Sequence, residues 1–341
     1  MRNFILLPII LLISSCVETT KKPPFNTVEI ESIYEDSLSV RAIELMGNSL
    51  AFAANRGTFG TIALETGKVM TNTQRYDSIV PAFRAVGHTS TDFFMLSIGS
   101  PALLYKTGDE GRMQLVYKEE GEGVFYDAMT FWNDKEGIAV GDTVNGCFSI
   151  IVTRDGGKTW NKLSCNILPE AIDGEGAFAA SDTNIKTIGT KTWVATTKRI
   201  LFSPDKGKTW QAFETPILHV EEAQGIYSID FYDENLGVAI GGDYTNPDAN
   251  RANKAITTDG GKTWQLIADG QNPQYKSCVQ FVPNSEGKEM VAIGFTGIAY
   301  SSDRGMTWKQ LSDASFYTVR FLNDSIAYAA GRNSIAKLMF E

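Results

Sequence analysis

Thr153-Arg154-Asp155-Gly156-Gly157-Lys158-Thr159-Trp160 returns three times on the same skeleton: Ser203-Pro204-Asp205-Lys206-Gly207-Lys208-Thr209-Trp210, Thr257-Thr258-Asp259-Gly260-Gly261-Lys262-Thr263-Trp264 and Ser301-Ser302-Asp303-Arg304-Gly305-Met306-Thr307-Trp308. The Trp-to-Trp intervals are 50, 54 and 44 residues. A period of that size is one four-stranded antiparallel sheet, the unit that circles an axis in a propeller. Within each copy the Asp side chain can accept hydrogen bonds from the amides that follow it, the Gly permits a positive φ, and the Trp offers a large flat surface to pack between sheets. Asp155, Trp160, Asp205, Trp210, Asp259, Trp264, Asp303 and Trp308 therefore read as fasteners of hairpin turns. Weaker copies stand at Thr107-Gly108-Asp109-Glu110-Gly111 and at Glu65-Thr66-Gly67.

A second pattern precedes each fastener, an aromatic or apolar residue leading into a short apolar strand. It occurs at Val40-Arg41-Ala42-Ile43, Phe83-Arg84-Ala85-Val86, Tyr126-Asp127-Ala128-Met129, Phe178-Ala179-Ala180-Ser181, Tyr227-Ser228-Ile229-Asp230, Lys276-Ser277-Cys278-Val279 and Tyr317-Thr318-Val319-Arg320, at intervals of 43, 43, 52, 49, 49 and 41 residues. The spacing predicts an all-β fold, a single seven-bladed β-propeller over residues 26–341, with these seven segments as the inner strands. The chain after Thr318 is long enough for three strands only. Thr27 to Tyr34 alternates like a strand and has no blade of its own, so it is predicted to complete the seventh blade and hide both open edges.

The chain has 341 residues, 43% of them hydrophobic, with 31 Lys and Arg against 40 Asp and Glu for a formal charge of −9. Without a dense basic stretch, a nucleic-acid partner is excluded, since phosphate binding needs clustered cations. Two His and four Cys are too few for a multi-site zinc protein or a disulfide-stapled miniprotein. There is no Gly-x-Gly-x-x-Gly turn between strand and helix and no Cys-x-x-Cys, so neither a cofactor nor a metal is expected.

Residues 1–15 read as a bacterial lipoprotein signal peptide: Arg2 supplies a positive charge, Phe4 to Ile13 is almost unbroken apolar chain, and Ile13-Ser14-Ser15-Cys16 resembles a lipobox. That apolar run is too short to span a bilayer as a helix. The resemblance implies cleavage before Cys16 and acylation of its thiol, leaving residues 16–25 as a tether and placing the protein in the cell envelope, on the membrane through its lipid anchor alone. Val17 is not the Asp that resembles an inner-membrane retention signal, which favours the outer membrane. Of the other cysteines, Cys147 and Cys165 lie symmetrically about the turn at Asp155-Gly156-Gly157 and could face each other. Because cross-strand geometry is often poor for a disulfide, buried thiols are the expectation for Cys147, Cys165 and Cys278.

The four boxes match the Asp-box, or BNR repeat, of sialidases, sortilin-type receptors and the photosystem II stability and assembly factor family. With the blade-length spacing, Phe83-Arg84-Ala85-Val86, Gly174-Glu175-Gly176-Ala177-Phe178-Ala179-Ala180-Ser181 and Gly241-Gly242-Asp243-Tyr244 resemble the assembly-factor-like group. The resemblance implies an exported propeller acting as a chaperone-like binding protein. The photosynthetic members use a basic face, and this acidic chain departs from them.

In such a ring, Arg41, Arg84 and Asp127 hold equivalent positions in neighbouring blades at the mouth opposite the boxes, and Glu175, His219 and Asp243 join them as candidate ligand-binding residues. Two Arg can grip a carboxylate or sulfate bidentately. The expected function is a noncatalytic, monomeric, envelope-tethered platform that binds a protein partner or an anionic ligand. A sialidase-like glycoside hydrolase is the alternative, although the Phe-Arg-Ile-Pro string of those enzymes appears here without its Pro, and they have six blades. An oxidoreductase is implied only by the naming of some similar proteins. No catalytic residue is assigned.

Overall fold

The computed structural model describes residues 23–108 and 111–341. The predicted signal peptide, the predicted lipidation site Cys16 and the predicted tether up to Lys22 lie outside the described residues. Five four-stranded antiparallel sheets and one seven-stranded sheet build the ring. The larger sheet is two blades sharing one long strand, Val28–Met46, whose first part pairs with Arg332–Phe340 and whose second part pairs with Ser49–Ala54. The ring therefore has seven blades, and the N-terminal strand closes the last one. Edges that would otherwise expose unpaired amides are thus joined within the chain.

The second strands, such as Phe93–Ser97, Gly237–Asp243 and Met290–Gly294, are buried along their whole length. Neighbouring blades cover both of their faces, which is why they spell continuous apolar runs rather than alternation. The cores lie between blades. Trp193, for example, stacks on Phe231 of the next blade with ring centroids 4.0 Å apart.

Each fastener ties the turn between third and fourth strands. Asp259 Oδ1 accepts hydrogen bonds from the amides of Lys262 and Thr263 and the Thr257 hydroxyl, and Oδ2 accepts from the Thr263 hydroxyl. The Gly261 amide donates to Thr257 Oγ1. Asp155, Asp205 and Asp303 repeat this arrangement. Burial opposes ionisation at each, but the converging donors outweigh it and hold all four carboxyls below the usual range. Trp210, Trp264 and Trp308 donate from Nε1 to the Gly carbonyl of their own turns. Trp160 differs: it packs edge-on against Phe94 and Phe131 and its Nε1 has no acceptor. Gly157 is obligatory there, because φ is +75° and a Cβ would fall 2.1 Å from a Phe94 ring carbon.

Two expectations need correction. The inner strand of the fourth blade is Ile185–Ile188, not the segment beginning at Phe178. Residues 178 to 182 leave the sheet and run into the centre of the ring, so Ala179 is not equivalent to Arg41 and Arg84. Cys147 and Cys165 are not thiols but a disulfide, with Cα atoms 5.6 Å apart. The objection to a cross-strand bond does not apply, because the fourth strand of that blade is only Asn161–Lys162 and Cys165 begins a 3-10 turn beyond it. Cys278 remains a buried thiol.

Candidate functional site

Four inner strands carry one extra residue relative to the strand beside them. Register shifts between Val40 and Ala42, Phe83 and Ala85, Tyr126 and Ala128, and Ile226 and Ser228 make Arg41, Arg84, Asp127 and Tyr227 the bulged positions. A bulge bends its strand and re-aims one side chain. Arg41, Arg84 and Tyr227 thereby line a bowl of about 650 Å³. Its wall comes from the connections that lead into inner strands and from turns between second and third strands, the rim opposite the fasteners.

The floor of the bowl is the displaced segment of the fourth blade. Asp182 sits near the axis at φ +58°, and its two carboxylate oxygens accept from the amides of Val86 and Met129, each at 2.9 Å. Ser181 Oγ donates to the Ser277 carbonyl, Thr318 Oγ1 donates to the Ser181 carbonyl, and Arg320 Nη2 donates to the Asp182 carbonyl. This plug is thus tied to the second, third, sixth and seventh blades. Burial raises the Asp182 pKa, only partly offset by Arg320 and the two amides. Below it, Glu44 bridges Arg320 at 3.3 Å and His88 at 3.4 Å. Burial works against the Glu44 carboxylate, but these two partners hold its pKa down, while Glu44 raises that of His88.

Above the plug the bowl divides into two halves. On one side Arg41 Nη1 donates to the Ala180 carbonyl at 3.2 Å and its guanidinium lies 4.1 Å from the Tyr317 ring centre, while its buried Nε has no partner. Arg84 Nη1 reaches the Ala179 carbonyl at 3.5 Å. Burial and the neighbouring Arg41 charge both lower the Arg84 pKa, the signature of two cations crowded together. On the other side Phe178 stacks on Tyr227 at 3.8 Å, Tyr275 meets Tyr227 edge-on at 4.9 Å, and Phe295 lies 5.0 Å from Tyr275. Burial pushes the phenols of Tyr227 and Tyr275 far up, so both stay protonated donors at neutral pH.

The predicted residues divide accordingly. Arg41 and Arg84 come together in the bowl. Asp127 is fully buried, neither of its oxygens meets a donor at hydrogen-bond geometry, and desolvation together with Asp142 raises its pKa well above the usual value, against the pull of Arg84 and the Ala179 amide. Glu175 is part of the wall, but its carboxylate is committed: Arg199 binds it through Nε and Nη2 at 3.0 Å each, and the Thr196 hydroxyl and Ile172 amide complete it. Asp243 caps its own turn, accepting from the Thr245 amide and hydroxyl. His219 places Nδ1 against the Ile217 carbonyl, and neither it nor Asp243 lines the bowl. Asp142 does line it, accepting from the Ala177 amide at 2.8 Å; a Cβ on Gly176 would fall 2.4 Å from Asp142 Oδ1, so that glycine allows the plug to descend.

Sequence reasoning missed the aromatic half. Tyr227 and Tyr317 stood out only as markers of strand starts, and nothing local distinguishes such an aromatic facing an interblade core from one facing the axis. Among the described residues no group of three or more His, Cys, Asp or Glu could hold a metal ion. The Tyr227 hydroxyl already donates to the Ala223 carbonyl at 2.7 Å, so what the bowl offers chemically is guanidinium donors beside flat aromatic surface, which suits an anionic group attached to an apolar or aromatic one.

A family model described as Sortilin, neurotensin receptor 3, matches residues 148–291. No curated protein matches the chain. Among solved structures, YCF48 bound to D1 peptide is similar at 13% identity and a TM-score of 0.66, over 93% of this chain and 97% of that one. YCF48 from Cyanidioschyzon merolae is similar at 13% identity and a TM-score of 0.63, over 93% and 99%. U3-55K has 12% identity and a TM-score of 0.63, over 93% and 100%. At these identities the likeness is one of fold: the chain is a β-propeller.

Proposed function

We propose that this propeller is a noncatalytic protein-binding or assembly platform of the bacterial cell envelope, held at the membrane by an acylated Cys16. Its partner is a polypeptide segment that lays an anionic group and an adjoining apolar side chain into the bowl. The observation that carries this is the pairing of Arg41 and Arg84 with the row of Phe178, Tyr227, Tyr275 and Phe295 above a closed floor. A blind bowl suits the end or loop of a chain rather than passage through the ring. Exposed Tyr244, Phe295, Ile172 and Val220 around the same rim add apolar contact area of the kind that protein partners bury. One similar structure, YCF48, was solved with a peptide bound.

The test is photo-crosslinking in intact cells from position 244, followed by identification of the captured polypeptide. Capture is expected, and the combination of Arg41→Ala and Arg84→Ala should abolish it while the far-ultraviolet circular dichroism of the folded domain is retained. A synthetic copy of the captured segment, with its anionic group neutralised, should bind at least roughly tenfold more weakly. Turnover of a fluorogenic sialoside, lost in Arg84→Ala, would overturn the platform in favour of a hydrolase.

A further inference from the structure

The chain joins the propeller on the fastener rim. Phe25 is buried between Tyr300 and Phe340, with ring centroids 4.9 and 5.1 Å away, and Lys309 Nζ donates to the Asn26 carbonyl at 2.9 Å. The amides of Asn26 and Thr27 both donate to the Glu341 carbonyl, so the beginning and the end of the ring meet at one point. Pro24 borders a small cavity with Pro283, Ser302 and Asp324, all in turns of the sixth and seventh blades on that rim. From there Val28 onward climbs beside Phe340, reaches the bowl rim near Ser39, and turns down as the inner strand of the first blade.

Eight residue steps separate Cys16 from Pro24, which bounds their separation at roughly 30 Å even for a fully extended chain. A lipid on Cys16 would attach the domain at this rim, on the side opposite the bowl. The same two blades present exposed large apolar side chains on the fastener rim, Met306 in the turn of the sixth blade at 57% and Leu322 in the seventh at 43%. Both belong to turns whose neighbouring residues, Ser302 and Asp324, border Pro24. Apolar side chains held near a bilayer gain free energy by dipping into its interfacial layer.

We infer that the fastener rim is the membrane-apposed face, contacting the bilayer interface through Met306 and Leu322, and that the bowl opens away from the membrane into the aqueous compartment. The inference rests on the lipid anchor proposed above. It narrows the partner to a segment presented from the aqueous phase, such as a projecting terminus or loop, and excludes an acyl chain or a stretch lying in the membrane plane.

The experiment uses mature protein extracted from the envelope, whose intact mass first reports acylation of Cys16. The protein is reconstituted into vesicles of phosphatidylethanolamine and phosphatidylglycerol that contain an acceptor-labelled lipid headgroup. A donor dye is attached in turn at Arg304→Cys on the fastener rim and at Asp248→Cys on the bowl rim. Transfer roughly twofold or more stronger from position 304 is expected, since the two rims are a blade's height apart, and Met306→Glu with Leu322→Glu should reduce it. Equal or reversed transfer from acylated protein overturns this inference and leaves the anchor standing. Unchanged transfer in the double-Glu variant overturns the apolar contact. An unacylated Cys16 overturns the anchor and the inference together.

Discussion

Asp259, in a half-exposed turn, and Lys276, in the interior, show two opposite ways in which a charged side chain meets this fold. The Asp259 carboxylate collects four donors within its own turn, which more than offset its desolvation and depress its pKa. Asp259→Ala should therefore destabilise the domain by about 1–3 kcal/mol, read as a lower denaturation midpoint. Because its folded pKa lies below the unfolded one, that stabilisation is present above the ordinary carboxyl range and is lost as pH falls through the folded value. The acid limb of the wild type should be steeper than that of the variant. Lys276 has no such surplus. Burial lowers its pKa to about 8, with Thr296 Oγ1 its nearest acceptor at 2.7 Å, and Lys254 behaves alike. Between pH 8 and the ordinary lysine value the unfolded chain binds more protons than the folded one, so stability rises with pH across that window. Thermal melts at pH 7 and pH 10 should show this rise in the wild type and a smaller one in Lys276→Met.

The element that matters most for integrity is the strand Val28–Met46. Its first part supplies the outer strand of the seventh blade and its second part the inner strand of the first, so a single run of backbone joins the two ends of the ring. Deleting residues 26–36 would open an edge along Arg332–Phe340 and pull Phe25 out of register with the Tyr300 and Phe340 rings it packs against. Loss of the cooperative melting transition is expected by calorimetry, and an unchanged midpoint would show that the ring closes without it. The fastener turns were legible at this scale, because their hydrogen bonds lie within eight consecutive residues. The short fourth strand of the third blade was not. Only after the strand ends at Lys162 does the chain bring Cys165 beside Cys147, and no repeat pattern signals so early an ending.

At the scale of the molecule, the plug converts an open channel into a closed bowl. Asp182→Ala would leave the buried amides of Val86 and Met129 unpaired and place Ala at a positive φ, costing about 3–5 kcal/mol. The Arg41 and Arg84 donors anchored on Ala180 and Ala179 would lose their fixed acceptors at the same time. Lower stability together with lost peptide capture is the expected outcome, measured by denaturant titration and by crosslinking from position 244; retained capture would detach the floor from the function.

The amino-acid sequence by itself determined the repeat, the count of seven, the fastener chemistry and the closing strand, since each rests on periodicity or on groups a few residues apart. The Arg pair was also legible, as two equivalent positions in successive repeats. Only the tertiary structure decided that Asp127 is buried beneath the bowl, that Glu175 is tied to Arg199, that Phe178, Tyr227, Tyr275 and Phe295 form one wall, and that residues 178–182 fill the axis. The physical reason is distance along the chain: Asp182 meets Val86 across 96 residues and Ala180 meets Arg41 across 139, contacts that come into being only when all seven blades have closed around the same centre.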